Sequence, residues 1–326
     1  MLLKVADVSG VAEARRKAVG LSRKLGANEA QAGRVGIIST ELASNLRKHA
    51  GEGSLILQAF DDRDGFGIEM LAFDAGPGMH DIEVCLADGY STTSSAGIGL
   101  GAVNRLSDTF AICSWPRGGT AAVARIRFSP PDKTRTFLIS SASGSFPGED
   151  VCGDAFAVQQ QGSRCVALLA DGSGHGELAL QAANLAVQIF LKARSLPPHM
   201  VCAEIHEGLR ATRGAAIGIA DIDLAEARVA FCGLGNVSGM LISHGTARRM
   251  VSQNGTAGHV ASRIGVFYYS FAERPCVVLH SDGLSARWNL DRYPGLAAAH
   301  PGLMASILFR DFRRGRDDAT IVVMRG

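Results

Sequence analysis

Residues 148–176, GEDVCGDAFAVQQQGSRCVALLADGSGHG, decide how the carboxyl-terminal half of this chain is read. Asp154 opens an apolar run, residues 159–163 have the composition of a hairpin turn, and a second run over 165–170 delivers Asp171 into a glycine-rich turn. A hairpin of that length brings the two carboxylates to one end of a sheet. Carboxylates at strand ends followed by glycines suit hard divalent cations: the acids supply charge, and the bare backbone lets carbonyls and waters complete the shell. Such a site needs further acids, and they occur in the same context. Asp282 follows the apolar run 276–279 in VVLHSDGL, and Asp317 and Asp318 precede a terminal β-branched run in RDDATIVVM. Asp-Gly at a strand end is also ordinary turn chemistry, but repetition of that context within one segment points beyond it.

The ordered set CGD, DGSGHG, SDG and DDATIVV resembles the metal-dependent PPM phosphatases of the SpoIIE type, the RsbX-like branch most of all, over roughly residues 134–326. The resemblance implies two Mn or Mg ions held by Asp154, Asp171 with Gly172, Asp282 and Asp317, with Asp318 as the alternative to Asp317. One departure is that Ala155, Phe156 and Ala157 stand where the family often carries a further acid. His175, in a glycine-flanked turn four residues beyond Asp171, is a candidate to protonate a leaving serine oxygen. The alternative for it is a solvent-exposed turn histidine.

The amino-terminal half has its own pattern. Residues 11–25 carry Ala14, Ala18, Leu21 and Leu25 at helical spacing, Gly26 ends that helix, and Asn28 is placed to cap a longer one through about His49. On the second helix Glu41, Asn45 and His49 recur every four residues and form one polar column. Residues 54–60 and 67–73 read as paired strands, the second running into Asp74, Ala75, Gly76, Pro77, Gly78. An aspartate followed by two glycines at a strand exit can accept from an exocyclic amine while a planar base approaches the bare backbone. Gly97, Gly99 and Gly101 are expected to precede a short helix over 102–106, where backbone amides can cradle phosphates. Strands over 108–114 and 120–128 close the unit.

This ordered triple resembles the GHKL ATPase and kinase fold, and the runs STELASNLRKHA and DAGPGMHDIEVCLADGYSTTSSAGIGLGAVNRLSD look like the RsbT-type switch kinases. The resemblance implies ATP bound through Asp74, Gly76 and Gly78, Mg ligated by Asn45, the triphosphate lined by Gly97, Gly99 and Gly101, and Glu41 as base for the attacking hydroxyl. Residues 91–96 carry no Lys or Arg, so charge neutralisation on the transferring phosphate falls to Mg and Lys48, with Arg105 the weaker choice.

The expected fold class is α+β: an amino-terminal GHKL (Bergerat-type) α/β sandwich over 1–128, a linker at 129–134 marked by SPPDKT, and a carboxyl-terminal PPM-type α/β/β/α sandwich over 135–326. A chain of 326 residues can bury two cores, and 47% hydrophobic with 20% charged residues is a globular composition. A formal net charge of +2 carries no nucleic-acid signature. The amino terminus MLLKVADVSG lacks a signal-peptide pattern and no apolar run reaches membrane-spanning length, so a cytoplasmic location without membrane attachment is expected. Seven cysteines without a C-x-x-C pair predict reduced, largely buried thiols. The resemblances together imply a partner-switching regulator in a bacterial stress or sigma-factor pathway, a kinase and a phosphatase acting on STAS-domain (anti-anti-sigma-like) proteins, with an anti-sigma-type protein as a further candidate partner. The alternative is a phosphatase gated by an amino-terminal unit that binds ATP without transferring phosphate.

Overall fold

The computed structural model describes residues 1–86, 99–193, 196–261 and 263–326. It divides into a unit of Met1–Asp132 with Ala298–Arg310, and a unit of Lys133–Ala297 with Asp311–Gly326.

In the first unit the order is β1 (Leu2–Val5), α1 (Val8–Lys24), α2 (Glu29–Asn45), β2 (Gly53–Asp62), β3 (Gly65–Asp74), α3 (Ile82–Leu86), α4 (Gly99–Leu106), β4 (Thr109–Ser114) and β5 (Thr120–Ser129). The strands form one antiparallel sheet in the order β1-β2-β3-β5-β4. Alternation decides its buried face: Leu55 and Leu57, Ile68, Met70 and Ala72, and Ala122, Ala124 and Ile126 meet Ala14 and Ala18 of α1 and Val35, Ile38 and Leu42 of α2. Each such Leu or Ile stabilises the unit by about 1.5–3 kcal/mol relative to exposure. Asn28 caps α2 as expected, accepting from the Gln31 amide while the Gln31 side chain returns a bond to the Asn28 amide.

Three features depart from the expected elements. Strand β1 was not anticipated. The long second helix ends its regular course at Asn45 and continues as a π-helical turn over Leu46–Ala50, which moves His49 out of the four-residue column with Glu41 and Asn45. Gly99 and Gly101 lie inside the first turns of α4 rather than ahead of it. Gly97 and the segment 91–96 lie outside the described residues.

The second unit contains β6 (Leu138–Gly144), β7 (Asp154–Gln161), β8 (Arg164–Gly172), α5 (Glu177–Lys192), α6 (Pro198–Gly208), β9 (Ala215–Asp223), β10 (Arg228–Leu234), β11 (Ser238–Ser243), β12 (Thr246–Met250), β13 (Ser252–Gln253), β14 (Gly255–Thr256), β15 (Val260–Ala261), β16 (Phe267–Ser270), β17 (Cys276–His280) and, after the helix α7 (Pro301–Phe312), β18 (Ala319–Arg325). One sheet runs β13-β10-β9-β8-β7 with β16 also on β10, and the other runs β12-β11-β17-β18-β6. Leu169, Ile222 and Phe231 of the first interdigitate with Leu241, Leu279 and Val322 of the second. The opposite face of the first sheet, with Leu168, Ile217 and Ile219, is covered by Ala186 and Phe190 of α5 and Ile205 of α6. The result is helices, sheet, sheet, within the mixed α+β class expected.

Helix α7 corrects the expected boundaries, which placed all of 135–326 in one unit. Residues Ala298–Arg310 group with the first unit: the Phe309 ring meets Phe73 edge-to-face at 6.1 Å, and Arg310 donates to the Asp74 carbonyl and, at 2.8 Å, to the Gly118 carbonyl. Among the described residues no helix is long and apolar enough to cross a membrane. The free cysteines Cys165, Cys202, Cys232 and Cys276 are buried.

Candidate active site

Asp154 and Asp171 are directly opposed across the β7–β8 hairpin, the juxtaposition the hairpin length predicts. Asp171, Asp282 and Asp317 line one cavity of about 540 Å³ together with Ser173, Gly174, Asn236, Asn254 and Thr256. Behind them Asp154 and Asp318 are buried at 7% and 3% exposure. Ser281, just before Asp282, donates its hydroxyl to Asp154 Oδ2 at 2.7 Å. The Phe146 amide donates to Asp318 Oδ1 at 2.7 Å, and Asn236 Nδ2 donates to Asp282 Oδ2 at 2.6 Å. The remaining oxygens, Asp154 Oδ1 and Asp318 Oδ2, are buried with no hydrogen-bond partner among the described residues.

The glycines beside these acids are there for close approach. A Cβ on Gly283 would lie 1.9 Å from the Asp318 carbonyl oxygen, so only glycine lets the β17 exit lie against the strand that carries Asp317 and Asp318.

Burial favours the protonated form of these carboxylates. Desolvation, helped by the charges of Asp154, Asp282 and Asp317, pushes Asp171 up to about 9. Desolvation likewise pushes Asp154 up to about 7, against the hydrogen bond from Ser281, and raises Asp317. Oxygen-only donors, two of them orphaned in the interior, fit a hard divalent cation. Among the described residues no three acidic, histidine or cysteine side chains already converge on a single coordination point, in keeping with Ser281 and Asn236 each holding one oxygen of Asp154 and Asp282.

A stability prediction follows from the sign of these shifts. The folded protein keeps protons on Asp154 and Asp171 that the unfolded chain releases near pH 4, so their contribution is fully present below that pH and is lost as pH rises through about 7 and about 9. With chelator present, the melting temperature is expected to fall by about 5–10 °C between pH 5 and pH 8.5. Mn is expected to raise it again, more at pH 8.5 than at pH 5. Differential scanning fluorimetry checks this, and a metal-free melting temperature that is flat or rises over that interval would contradict it.

In the first unit the structure places Glu41 and Asn45 on the same stretch of α2, half-buried, with Lys48 exposed on the π-helical turn. Asn45 Nδ2 is buried with no hydrogen-bond partner among the described residues. At the β3 exit, Asp74 Oδ1 accepts from the Gly76 amide at 2.8 Å. Burial raises the Asp74 pKa, opposed by the Gly76 and Thr120 amides and by the charges of Arg310 and His49. His49 thus acts on Asp74 from the π-helical turn. Gly78 has φ +72°, and a Cβ there would lie 2.0 Å from the Trp115 carbonyl oxygen, so this turn requires glycine. Gly76 packs beneath Ala50 of the π-helical turn.

Ser281 and the turn around Phe146 are not among the site residues that the sequence motifs point to. Ser281 sits within the SDG motif, so its neighbour was visible. Phe146 acts through a backbone amide, which no residue type betrays.

Comparison with known proteins follows this division. Residues 161–326 match the family model for Stage II sporulation protein E (SpoIIE). The chain is 34% identical over 110 residues to the serine/threonine-protein kinase RsbT of Bacillus subtilis, covering 34% of this chain and 83% of that one. It is 22% identical over 139 residues to the phosphoserine phosphatase RsbX of the same organism, covering 42% and 70%; a crystal structure of RsbX in complex with magnesium superposes with a TM-score of 0.51 at 18% identity, covering 60% of this chain and 97% of that one. The PP2C phosphatase domain of SpoIIE from Bacillus subtilis, with a fragment of its regulatory domain, gives a TM-score of 0.51 at 14% identity over 98% of this chain and 96% of that one. At those identities the structural likeness is one of fold. The family match spans half of the chain and includes the turns that carry Asp171, Asp282, Asp317 and Asp318; the chain belongs to the SpoIIE family, with a PPM-type serine/threonine phosphatase domain and an RsbT-like amino-terminal part.

Proposed function

We propose that the chain is a bifunctional partner-switching regulator, whose amino-terminal GHKL-type unit transfers phosphate from ATP to a serine or threonine of a STAS-domain protein and whose carboxyl-terminal unit removes phosphate from such a protein. The observation that carries the phosphatase half is the buried pair of unpartnered carboxylate oxygens, on Asp154 and Asp318, behind a cavity walled by Asp171, Asp282 and Asp317. Those five acids and the Gly172 backbone would hold Mn or Mg. When bound, the ions supply nucleophile activation and neutralise charge on the transferring phosphoryl group. Asp154 and Asp318 anchor the site from the interior, Asn236 holds Asp282 in place, and His175 protonates the leaving serine oxygen. The polar cavity admits an extended phosphorylated segment between the Ser173–Gly174 turn and Asn254–Thr256.

In the amino-terminal unit, Asp74 accepts from the adenine amine while Gly76 and Gly78 let the base lie close. Asn45 on α2 would offer its side-chain oxygen to Mg. Amides of Gly99 and Gly101 at the start of α4 donate to phosphate oxygens, Gly97 outside the described residues is proposed to join them, Glu41 takes the proton of the attacking hydroxyl, and Lys48 offsets phosphate charge. Identity of 34% to a serine/threonine-protein kinase supports this half.

The test is to incubate the full chain with γ-labelled ATP and STAS-domain proteins, with and without Mn. Label is expected on the partner in Mg and ATP, and is expected to leave when Mn is added. Removal of phosphate from a pre-labelled partner without any transfer from ATP would make the amino-terminal unit a binding module. Failure of both would sink the reading.

A further inference from the structure

The turn that follows β6 carries two side chains with no role so far. It is closed by the Glu149 amide on the Phe146 carbonyl at 3.0 Å and by the Ser145 hydroxyl on the Glu149 carbonyl at 2.9 Å. One bond pins it to the acidic site, from the Phe146 amide to Asp318 Oδ1. From that anchor both side chains converge on His175. The Phe146 ring stacks on the imidazole, with centroids 4.5 Å apart and planes 13° from parallel. Glu149 Oε1 lies 2.7 Å from His175 Nδ1. An ionised carboxylate only accepts, so Nδ1 carries the proton of that bond and Nε2 is left for another partner.

Glu149 is itself held. A Cβ on Gly176 would lie 3.1 Å from its Oε2, so the carboxylate rests against the residue preceding α5, where the helix macrodipole favours negative charge. The imidazole is close enough to the cavity wall for its charge to act on Asp317. An ordinary surface pair would have neither the stacked ring nor the tether to Asp318.

We infer that Glu149 is a positioning residue for phosphoester cleavage: it accepts from Nδ1–H of His175 in its doubly protonated, imidazolium form and, with the Phe146 ring, sets the plane of the ring, so that the second proton, on Nε2, meets the leaving serine or threonine oxygen. The inference rests on the phosphatase reading and adds Glu149 and Phe146 to it. In the step concerned the oxygen of water forms the new bond to phosphorus, the bond from phosphorus to the side-chain oxygen breaks, and the Nε2 proton goes to that oxygen. The proton lost by the water goes to solvent, and the ring regains one from solvent.

The leaving group provides the test. An alkoxide needs that proton, whereas the phenolate released from p-nitrophenyl phosphate does not. Full-length wild type, Glu149→Gln and Glu149→Asp are assayed with Mn on a phosphoserine peptide and on p-nitrophenyl phosphate, with melting temperatures to confirm folding. For Glu149→Gln the ratio of kcat on the peptide to kcat on p-nitrophenyl phosphate is expected to fall about 10–100-fold, with KM for the peptide little changed. Glu149→Asp is expected to recover part of that ratio. In a His175→Gln background, Glu149→Gln is expected to add less than about 2-fold, because the two act as a unit. An equal loss on both substrates, an unchanged peptide rate, or full additivity with His175→Gln would overturn the inference while leaving the phosphatase reading standing. A wild-type chain that hydrolyses neither ester with Mn would overturn both.

Discussion

Replacing Asp171 or Asp282 by asparagine is expected to lower Mn-dependent hydrolysis of a phosphoserine protein by at least about 10³-fold while the fold stands. Asparagine keeps the shape of each side chain and, at 282, an acceptor for Asn236, whose bond to Asp282 is 2.6 Å. What it removes is negative charge at the cavity wall. The two substitutions separate on stability. Asp171 is half-buried, and desolvation with the neighbouring acids pushes it up to about 9, so in the ion-free protein it opposes folding at alkaline pH. Asp171→Asn should therefore melt higher than wild type in chelator at pH 8.5 and show little further rise with Mn. Asp282→Asn should show the loss of Mn response with a smaller gain in chelator, since Asn236 already donates to the Asp282 carboxylate. Near-normal turnover in either variant with excess Mn would remove these residues from the site.

What could be read ahead of the structure and what could not divide along a physical line. Asp154 and Asp171 were placed at one sheet end because a hairpin of known length fixes its own register, and the pairing is as expected. The Asn28 cap and the strand exit at Asp74 were legible for the same reason: each is a local arrangement of a few residues. The contacts that hold the acids are not local. Ser281 reaches Asp154 across 127 residues and Phe146 reaches Asp318 across 172, and both depend on how the sheets pack. Helix α7 was missed because it is buried on nearly every side from Pro301 to Phe309, so no polar stripe marks its period. The four residues of β1 are too few for alternation to register. The π-helical turn after Asn45 has no propensity signature, although such turns often occur at functional sites; here it carries Lys48 and brings the charge of His49 to bear on Asp74.

That same turn frames the second large effect. Glu41→Ala is expected to leave ATP binding within about 2-fold of wild type and to slow phosphate transfer to the partner by about 10²–10⁴-fold, because it removes the base and no group proposed to touch the nucleotide. Asp74→Asn should do the reverse and weaken ATP binding by about 10–100-fold, the loss of a charge-assisted hydrogen bond to the adenine amine. The geometry sharpens the second expectation. Asp74 Oδ1 is already engaged by the Gly76 amide at 2.8 Å, so Oδ2 is the oxygen proposed to accept from the base. An asparagine that keeps the Gly76 bond through its own oxygen turns its amino group toward the adenine amine, donor against donor. Burial also raises the Asp74 pKa, so wild-type affinity should decline as pH falls toward that raised value, and Asp74→Asn should lack the decline. Isothermal titration with ATP at several pH values and single-turnover transfer assays check both variants. Normal transfer by Glu41→Ala would remove Glu41 as the general base.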